Sequence, residues 1–257
     1  MKISIITPCR NQEQFIRATI LSIADNIGNL EVEHIIVDGQ SSDTTLNSIK
    51  ELAERYPHIR YLSEPDNGQT NAINKGLKMA TGDILGFLNA DDVYEPGALQ
   101  KIHQFFIENP GKQWAYGKCK IINEKGEEIQ KPITFYKNIL MSHYRLWTLL
   151  ITDYICQPAC FWRRSAMNEV GWFDESQHLV MDYEYWLRLG KKYAPGFLSV
   201  TLARFRIHRT SKSSTQFHKQ FQEETLVAQK YTQNPLLHFL HKLHAGLVIA
   251  LYSIIKR

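Results

Sequence analysis

Two adjacent carboxylates close an apolar run in GDILGFLNADDVYEP, where Ile84, Leu85, Phe87 and Leu88 lead into Asn89, Ala90, Asp91 and Asp92. A buried carboxylate is costly unless it is hydrogen-bonded, paired or bound to a metal. Asn and Asp also favour turns, and Pro96 follows, so a plain surface turn accounts for the stretch as well. If the acids are functional, the chemistry that suits them is a hard divalent cation. Mg²⁺ or Mn²⁺ takes carboxylate oxygens and keeps waters and ligand phosphates. Two carboxylates are too few for a closed protein cage, but they suffice when a diphosphate supplies the other oxygens. Asp91 and Asp92 therefore point to a metal that arrives with a nucleotide.

Other polar groups could share that work. Asp38, in VDGQSSDTT, follows three apolar residues and precedes a glycine, where hydrogen bonds could read a base or ribose. Asp43 suits a helix cap instead. EPDNGQTNAINKG places Asp66, Asn67, Gly68 and Gln69 at a loop and helix start, with Asn71, Asn74 and Lys75 on the helix. In MDYEYWLRLG, Asp182 shares a helical face with Tyr185, Trp186 and Leu189. An acid at the edge of an aromatic face has its pKa raised toward acid–base usefulness, whereas capping the helix favours its ionised form. RFRIHRTSKSS combines Arg204, Arg206, His208, Arg209 and Lys212. On a strand the first three share one face, which suits phosphates, a solvated basic edge or an acidic-lipid contact.

These groups need elements to position them. Residues 3–7 form a β-branched run that Pro8 stops, and residues 34–39, 59–62 and 84–88 read as further buried strands. Between them, Phe15, Ile16, Thr19, Ile20 and Ile23 recur at helical spacing, as do Leu46, Ile49 and Leu52, and Ala72, Ile73 and Leu77. Pro96 suits the first turn of a helix carrying Leu99, Ile102 and Phe106. This βαβ alternation is that of a doubly wound sheet, whose sites lie beyond the carboxyl ends of the strands. Four such ends are polar here, at residues 7–11, 38–43, 63–69 and 89–92. No GxGxxG or GxxxxGK[ST] motif is present, which argues against a dinucleotide fold and a P-loop enzyme.

Beyond about residue 110 the pattern changes. Residues 115–122 and 128–135 read as a strand pair around NEKGE, 159–163 as a strand, 182–189 as a short helix and 197–208 as extended. This half supplies an antiparallel supplement closing one side of a cleft. The tail NPLLHFLHKLHAGLVIALYSIIKR has an apolar run of about a dozen residues, short of the roughly 20 that span a bilayer. His238, His241 and His244 recur every three residues, and Lys256 and Arg257 close the chain. A helix on a membrane surface and a helix docked on the domain or a partner subunit, as in a homo-oligomer, both fit it.

Composition sets the outer bounds. Apolar residues make up 44% and charged residues 22% of 257, an ordinary globular balance. The net charge of +4 is too small, without a reader motif, to indicate nucleic acid. Cys9, Cys119, Cys156 and Cys160 are scattered, which suits a reducing, cytoplasmic compartment and neither a disulfide scaffold nor a zinc site. The opening MKISIITPCRN reads as a strand and not as a secretion signal.

Together, ISIITPCRN, VDGQSSDTT, SEPDNGQTNAINKGLKMATGDILGFLNADD, GWFDE, MDYEYWLRL and RIHRTSKS resemble the family 2 glycosyltransferases in order and spacing, from residue 3 to about residue 214. The resemblance implies a GT-A fold: a Rossmann-like, mostly parallel sheet flanked by helices, with a small antiparallel supplement and a C-terminal helical tail. It divides the chain into a catalytic domain at 1–214, with a nucleotide-sugar half at 1–110 and an acceptor-side half at 111–214, and a helical extension at 215–257. It implies inverting transfer of a sugar from a nucleoside-diphosphate sugar, expected to be UDP-linked, to a hydroxyl of a glycan or lipid-linked saccharide. The cofactor expected is Mn²⁺ or Mg²⁺, and the place expected is the cytoplasm or the cytoplasmic membrane face.

By that resemblance Thr7, Pro8 and Asp38 line the nucleotide pocket, and Asp66, Gln69 and Asn74 are expected to add contacts from their loop and helix positions. The family's DxD-like motif falls on Asn89, Ala90 and Asp91, so Asp91 is the leading metal ligand and Asp92 follows it. Asn89 departs from the commoner first aspartate and suits a ribose contact. The general base falls on Asp182, where Met181 replaces the commoner preceding glutamate. His208 and Arg209 match the phosphate-contacting basic loop of some members. Two rival readings are a sugar-phosphate nucleotidyltransferase, for which an early glycine-rich basic loop is missing, and a non-catalytic sugar-binding or scaffold protein, for which Asn89 and Met181 leave room.

Overall fold

The computed structural model of the chain describes residues 1–255, so Lys256 and Arg257 of the tail lie outside the described residues. The first half alternates as its periodicity requires: β1 (Ile3–Cys9), α1 (Ile16–Ala24), β2 (Val32–Asp38), α2 (Thr45–Arg55), β3 (Ile59–Ser63), α3 (Gln69–Met79) and β4 (Ile84–Phe87). β1 and β2 are buried along their whole length, the signature of strands covered on both faces. Pro8 does not stop β1. Beyond Ile6 the strand has no β4 partner, while its pairing with β2 continues to Cys9↔Asp38, so proline sits where one ladder is already absent.

The chain continues through β5 (Val93–Tyr94), α4 (Ala98–Glu108), β6 (Trp114–Ile122), β7 (Glu128–Ile129), α5 (Lys131–Ser142) and α6 (Leu146–Ile151). A 3-10 turn at Gln157–Ala159 precedes β8 (Cys160–Arg163), α7 (Arg164–Val170), α8 (Met181–Lys192) and β9 (Gly196–Arg206). The chain ends in α9 (Lys212–Thr215), α10 (Phe217–Tyr231) and α11 (Pro235–Ile255). The strand expected at 128–135 is two residues long. Pro132 falls in the first turn of α5, where its missing N–H and fixed φ favour a helix start.

One sheet runs β3-β2-β1-β4-β8-β6-β9-β5, with β7 paired to β6. The first four strands are parallel, so their carboxyl ends share one edge. β8 pairs antiparallel with both β4 and β6, and β9 lies parallel to β6 and antiparallel to β5. This carries the sheet from the nucleotide-type half into the supplement without a break. Ile36, Ile16, Ile20, Ile49 and Leu52 form the core beneath α1 and α2. Ala72, Ile73 and Leu77 of α3, Trp162 of β8 and Trp186 of α8 belong to the core on the other side. A Cβ at Gly76 would lie 2.5 Å from Ile6 Cγ2, so glycine lets α3 approach the sheet and carry Gln69 to the strand ends.

Candidate active site

The carboxyl ends of the parallel strands open on a cavity of about 460 Å³. Of the acidic pair after β4, Asp91 stands at its wall and Asp92 lies behind it. Asp92 is fully buried. Its Oδ1 accepts the Arg206 backbone N–H at 2.8 Å, and its Oδ2 accepts the Asn89 amide at 3.2 Å. Burial first, and then the neighbouring Asp91 charge, push its carboxyl well above the usual aspartate range. The loop is also held from α1, where the Thr19 hydroxyl meets the carbonyls of Ala90 and Asp92, each at 2.8 Å. The Arg206 guanidinium donates to the carbonyls of Asp91 at 2.7 Å and Asn123 at 2.8 Å.

So braced, Asp91 lines the cavity with its side chain. Its Oδ2 lies 3.0 Å from His208 Nε2, and His208 Nδ1 is 3.0 Å from the Thr210 hydroxyl. The Phe15 ring packs against the imidazole, with centroids 4.9 Å apart. A carboxylate and an imidazole are ligands that a divalent cation accepts. Adjacent corners of an octahedron with bonds of about 2.1 Å are separated by about 3.0 Å, which is the spacing seen here. Among the described residues no group of three or more His, Cys, Asp or Glu could hold a metal. Asp91 and His208 could give a cation at most two side-chain ligands there, leaving its other positions to phosphate oxygens and water.

A chain of amides crosses the cavity wall. Lys212 Nζ donates to Gln69 Oε1 at 2.7 Å, and Gln69 Nε2 donates to Asn89 Oδ1 at 2.7 Å. The Asn89 amide is also 3.1 Å from Gln157 Oε1, and Gln157 Nε2 donates to the Phe87 carbonyl at 2.6 Å. Asn89 thus has amide neighbours on both sides, where an aspartate would lose the donor that meets Gln157 and Asp92. Asp66 lines the same cavity and accepts the Gly68 N–H at 2.8 Å. A side chain at Gly39 would collide with the Asp66 carboxylate.

Asp182 lines the cavity from the first turn of α8 and is half-buried. Burial pushes its carboxyl up, while backbone N–H groups and the charges of Lys137 and Lys212 oppose the rise. Two further carboxyls act in the same field. Asp153 is pushed well above its ordinary range by burial and then by Asp182. Glu224, on α10, is raised to about 7, by burial first, with Asp182 adding to the rise. Glu224 accepts a 3.0 Å bond from Gln220, itself a cavity residue. Glu184, in the same first turn of α8, is committed elsewhere, to Arg188 at 2.8 Å and the Tyr231 hydroxyl.

Of the residues singled out in the sequence, Pro8, Asp66, Gln69, Asn89, Asp91, Asp182 and His208 line this one cavity. Thr7, Asp38, Asn74, Asp92 and Arg209 do not. Thr7 is buried against His34 Nε2 at 2.9 Å. Asp38 is fully buried, accepting the hydroxyls of Ser41 at 2.5 Å and Ser63 at 2.7 Å, so it ties the ends of β2 and β3 together. Asn74 joins α3 to the Phe173 backbone at 2.9 and 3.1 Å. Arg209 is exposed, with its N–H on Glu124 at 3.3 Å, and Arg204 pairs with Glu95 at 2.6 Å. Lys212, Gln157, His178 and Gln220 line the cavity without having been assigned to it from sequence. Only Lys212 carried a signal, its place in the basic RFRIHRTSKSS stretch.

Comparison with known proteins places this geometry in a family. Residues 4–171 match the family described as "Glycosyl transferase family 2". An uncharacterized glycosyltransferase of Haemophilus influenzae is 26% identical over 248 residues, covering 94% of this chain and 75% of that protein. Other matched relatives are longer, and the chain spans 33% and 26% of two of them. Among solved structures, the fold is similar to mannosyltransferase PcManGT from Pyrobaculum calidifontis in complex with GDP-Man and Mn²⁺. The TM-score is 0.71 at 18% identity, over 95% of this chain and 68% of that one. It is also similar to S. aureus TarS 1-349 in complex with UDP-GlcNAc, with TM-score 0.64 at 18% identity, over 93% of this chain and 69% of that one.

Proposed function

The chain belongs to glycosyl transferase family 2, and we propose that it moves a sugar from a nucleoside-diphosphate sugar, UDP-linked, to a hydroxyl of a glycan or lipid-linked saccharide, with inversion. The observation that carries this reading is the meeting of Asp91, His208 and Asp182 in one cavity, from elements far apart in the chain. Asp91 and His208 would hold Mn²⁺ or Mg²⁺, with Asp92 behind Asp91 as the support of its loop. A bound divalent cation supplies neutralisation of charge on the diphosphate leaving group. Lys212 adds positive charge from the cavity wall, and Asn89, Gln69 and Asp66 offer polar contacts to the nucleotide. Asp182, as its carboxylate, accepts the proton of the acceptor hydroxyl. The hydroxyl oxygen bonds to the anomeric carbon, the carbon–oxygen bond to phosphate breaks, and the electron pair leaves with the diphosphate. Thr7 and Asp38 shape the pocket floor through their bonds to His34, Ser41 and Ser63, and Asn74 anchors α3.

The place of action in this reading is the cytoplasmic membrane face, with α11 as the contact, supported by the exposed apolar face of that helix. No helix among the described residues is long and apolar enough to cross a membrane. The test is a transfer assay with a panel of nucleotide-sugars and Mn²⁺. Asp182→Asn is expected to keep donor affinity and lower transfer by about 10²- to 10⁴-fold. Asp91→Ala is expected to weaken donor binding when Mn²⁺ is present. Equal activity in parent and both variants would remove these assignments, and release of pyrophosphate from a nucleoside triphosphate would replace transfer with nucleotidyl chemistry.

A further inference from the structure

α5 and α6 leave large apolar side chains in solvent. Phe135 is 68%, Ile139 50% and Trp147 56% exposed. α11 does the same along one face, where Leu236, Phe239, Leu243 and Leu247 are spaced three, four and four residues apart and are all at least half exposed. Its other face turns inward through His241 and Ala245. The three helices are tied into one unit. The Tyr136 hydroxyl lies 3.0 Å from His244 Nε2 with the two rings stacked, and His241 Nδ1 donates to the Leu150 carbonyl at 2.9 Å.

The charge of this unit has one sign. Residues 129–152 and 225–257 contain no Asp or Glu, although the chain has 26 such residues. Lys131, Arg145 and Lys242 are exposed on or beside the three helices. Exposed leucine, phenylalanine and tryptophan with interspersed Lys and Arg and no carboxylate match an anionic headgroup layer, to which each basic residue adds attraction. The unit also adjoins the cavity. Lys137 of α5 acts electrostatically on Asp182, Asp153 and Glu224, and α10, which brings Gln220 to the cavity, packs on both α6 and α11.

We propose that α5, α6 and α11 form a docking face for a bilayer containing anionic lipid, and that this face brings the Asp182 side of the cavity to the headgroup layer, where a lipid-anchored acceptor presents its hydroxyl. The proposal extends the membrane contact from the tail alone to a three-helix surface, and for the acceptor it rests on the transferase reading above.

The experiment is co-sedimentation of the full chain with phosphatidylcholine vesicles, with and without phosphatidylglycerol. Donor binding is measured on the same samples. The parent is expected to sediment with the anionic vesicles and to be released by salt. Phe135→Glu with Phe239→Glu, and separately Lys131→Glu with Lys242→Glu, are expected to weaken that binding by more than about tenfold while leaving donor binding unchanged. Variant binding equal to the parent's, or equal binding to neutral vesicles, would overturn the proposal. So would a stable dimer that ignores vesicles and is dissolved by the Phe variants, since a second copy would then cover the face. Loss of donor binding in the parent itself would strike the transferase reading and leave the docking result standing.

Discussion

At the scale of single residues, Asp91 and Asp92 show what adjacency in sequence conceals. Their shared motif makes them look like two ligands of one ion. Asp91 faces the cavity and His208, whereas Asp92 is buried with its oxygens on Asn89 and on the Arg206 N–H, 114 positions away. That partner has no local signature, so the different settings of the two carboxylates were invisible without the fold. An unpaired buried donor costs about 1–3 kcal/mol. Asp92→Ala is therefore expected to lower unfolding free energy by at least that much in urea titrations. Asp91→Ala is expected to leave the midpoint nearly unchanged while losing metal-dependent donor binding. The reverse pattern would exchange the two roles. That Asp182 lines the cavity follows from its place at the start of a helix with an aromatic face. Gln157 and Gln220 carry no such sequence signal, because their significance lies in what they touch.

At the scale of elements, the strands whose carboxyl ends open on the cavity were readable because β-branched runs ending in polar residues leave few alternatives. The helices that close the other side were harder. The first residues of α5, 131–135, fall within the expected strand because they follow a short strand directly, and Pro132 marks the switch. α10 carried no motif, yet it supplies Gln220 to the cavity and Glu224 as the buried partner of Gln220. Glu224 makes that contribution testable. Its folded carboxyl titrates at about 7 against an ordinary value of 4.5, so across that window the folded protein holds a proton that the unfolded chain has lost. Stability accordingly falls as pH rises through the window, by on the order of 3 kcal/mol if this group acts alone. Glu224→Gln is expected to be more stable than the parent near pH 8. The difference should shrink toward about pH 5, as measured by urea unfolding at each pH. A gap independent of pH would mean that Glu224 is charged in the folded protein throughout.

At the scale of the whole molecule, the cavity is a meeting place for the length of the chain, with Pro8 from β1, Asp91 after β4, Asp182 from α8 and Gln220 from α10. The halves expected at 1–110 and 111–214 contribute to one sheet, joined where β4 pairs with β8. A ligand seated there binds only the folded arrangement, so its binding free energy adds to global stability. At a hundred times its dissociation constant that is about 2.7 kcal/mol, or roughly 5–10 °C in Tm for a chain of this size. If Asp91 and His208 join the nucleotide diphosphate through a cation, UDP and Mn²⁺ are linked ligands, each raising the affinity of the other by the same factor. Thermal unfolding with UDP alone, Mn²⁺ alone and both together is then expected to show a joint shift larger than the two separate shifts combined. Chelation should return Tm to the UDP-only value, and Asp91→Ala should abolish the excess while keeping a small UDP shift from the amide wall. A full UDP shift that survives chelation would show that the diphosphate is held by Lys212 and the cavity amides without a cation, and the acidic corner would then need another role.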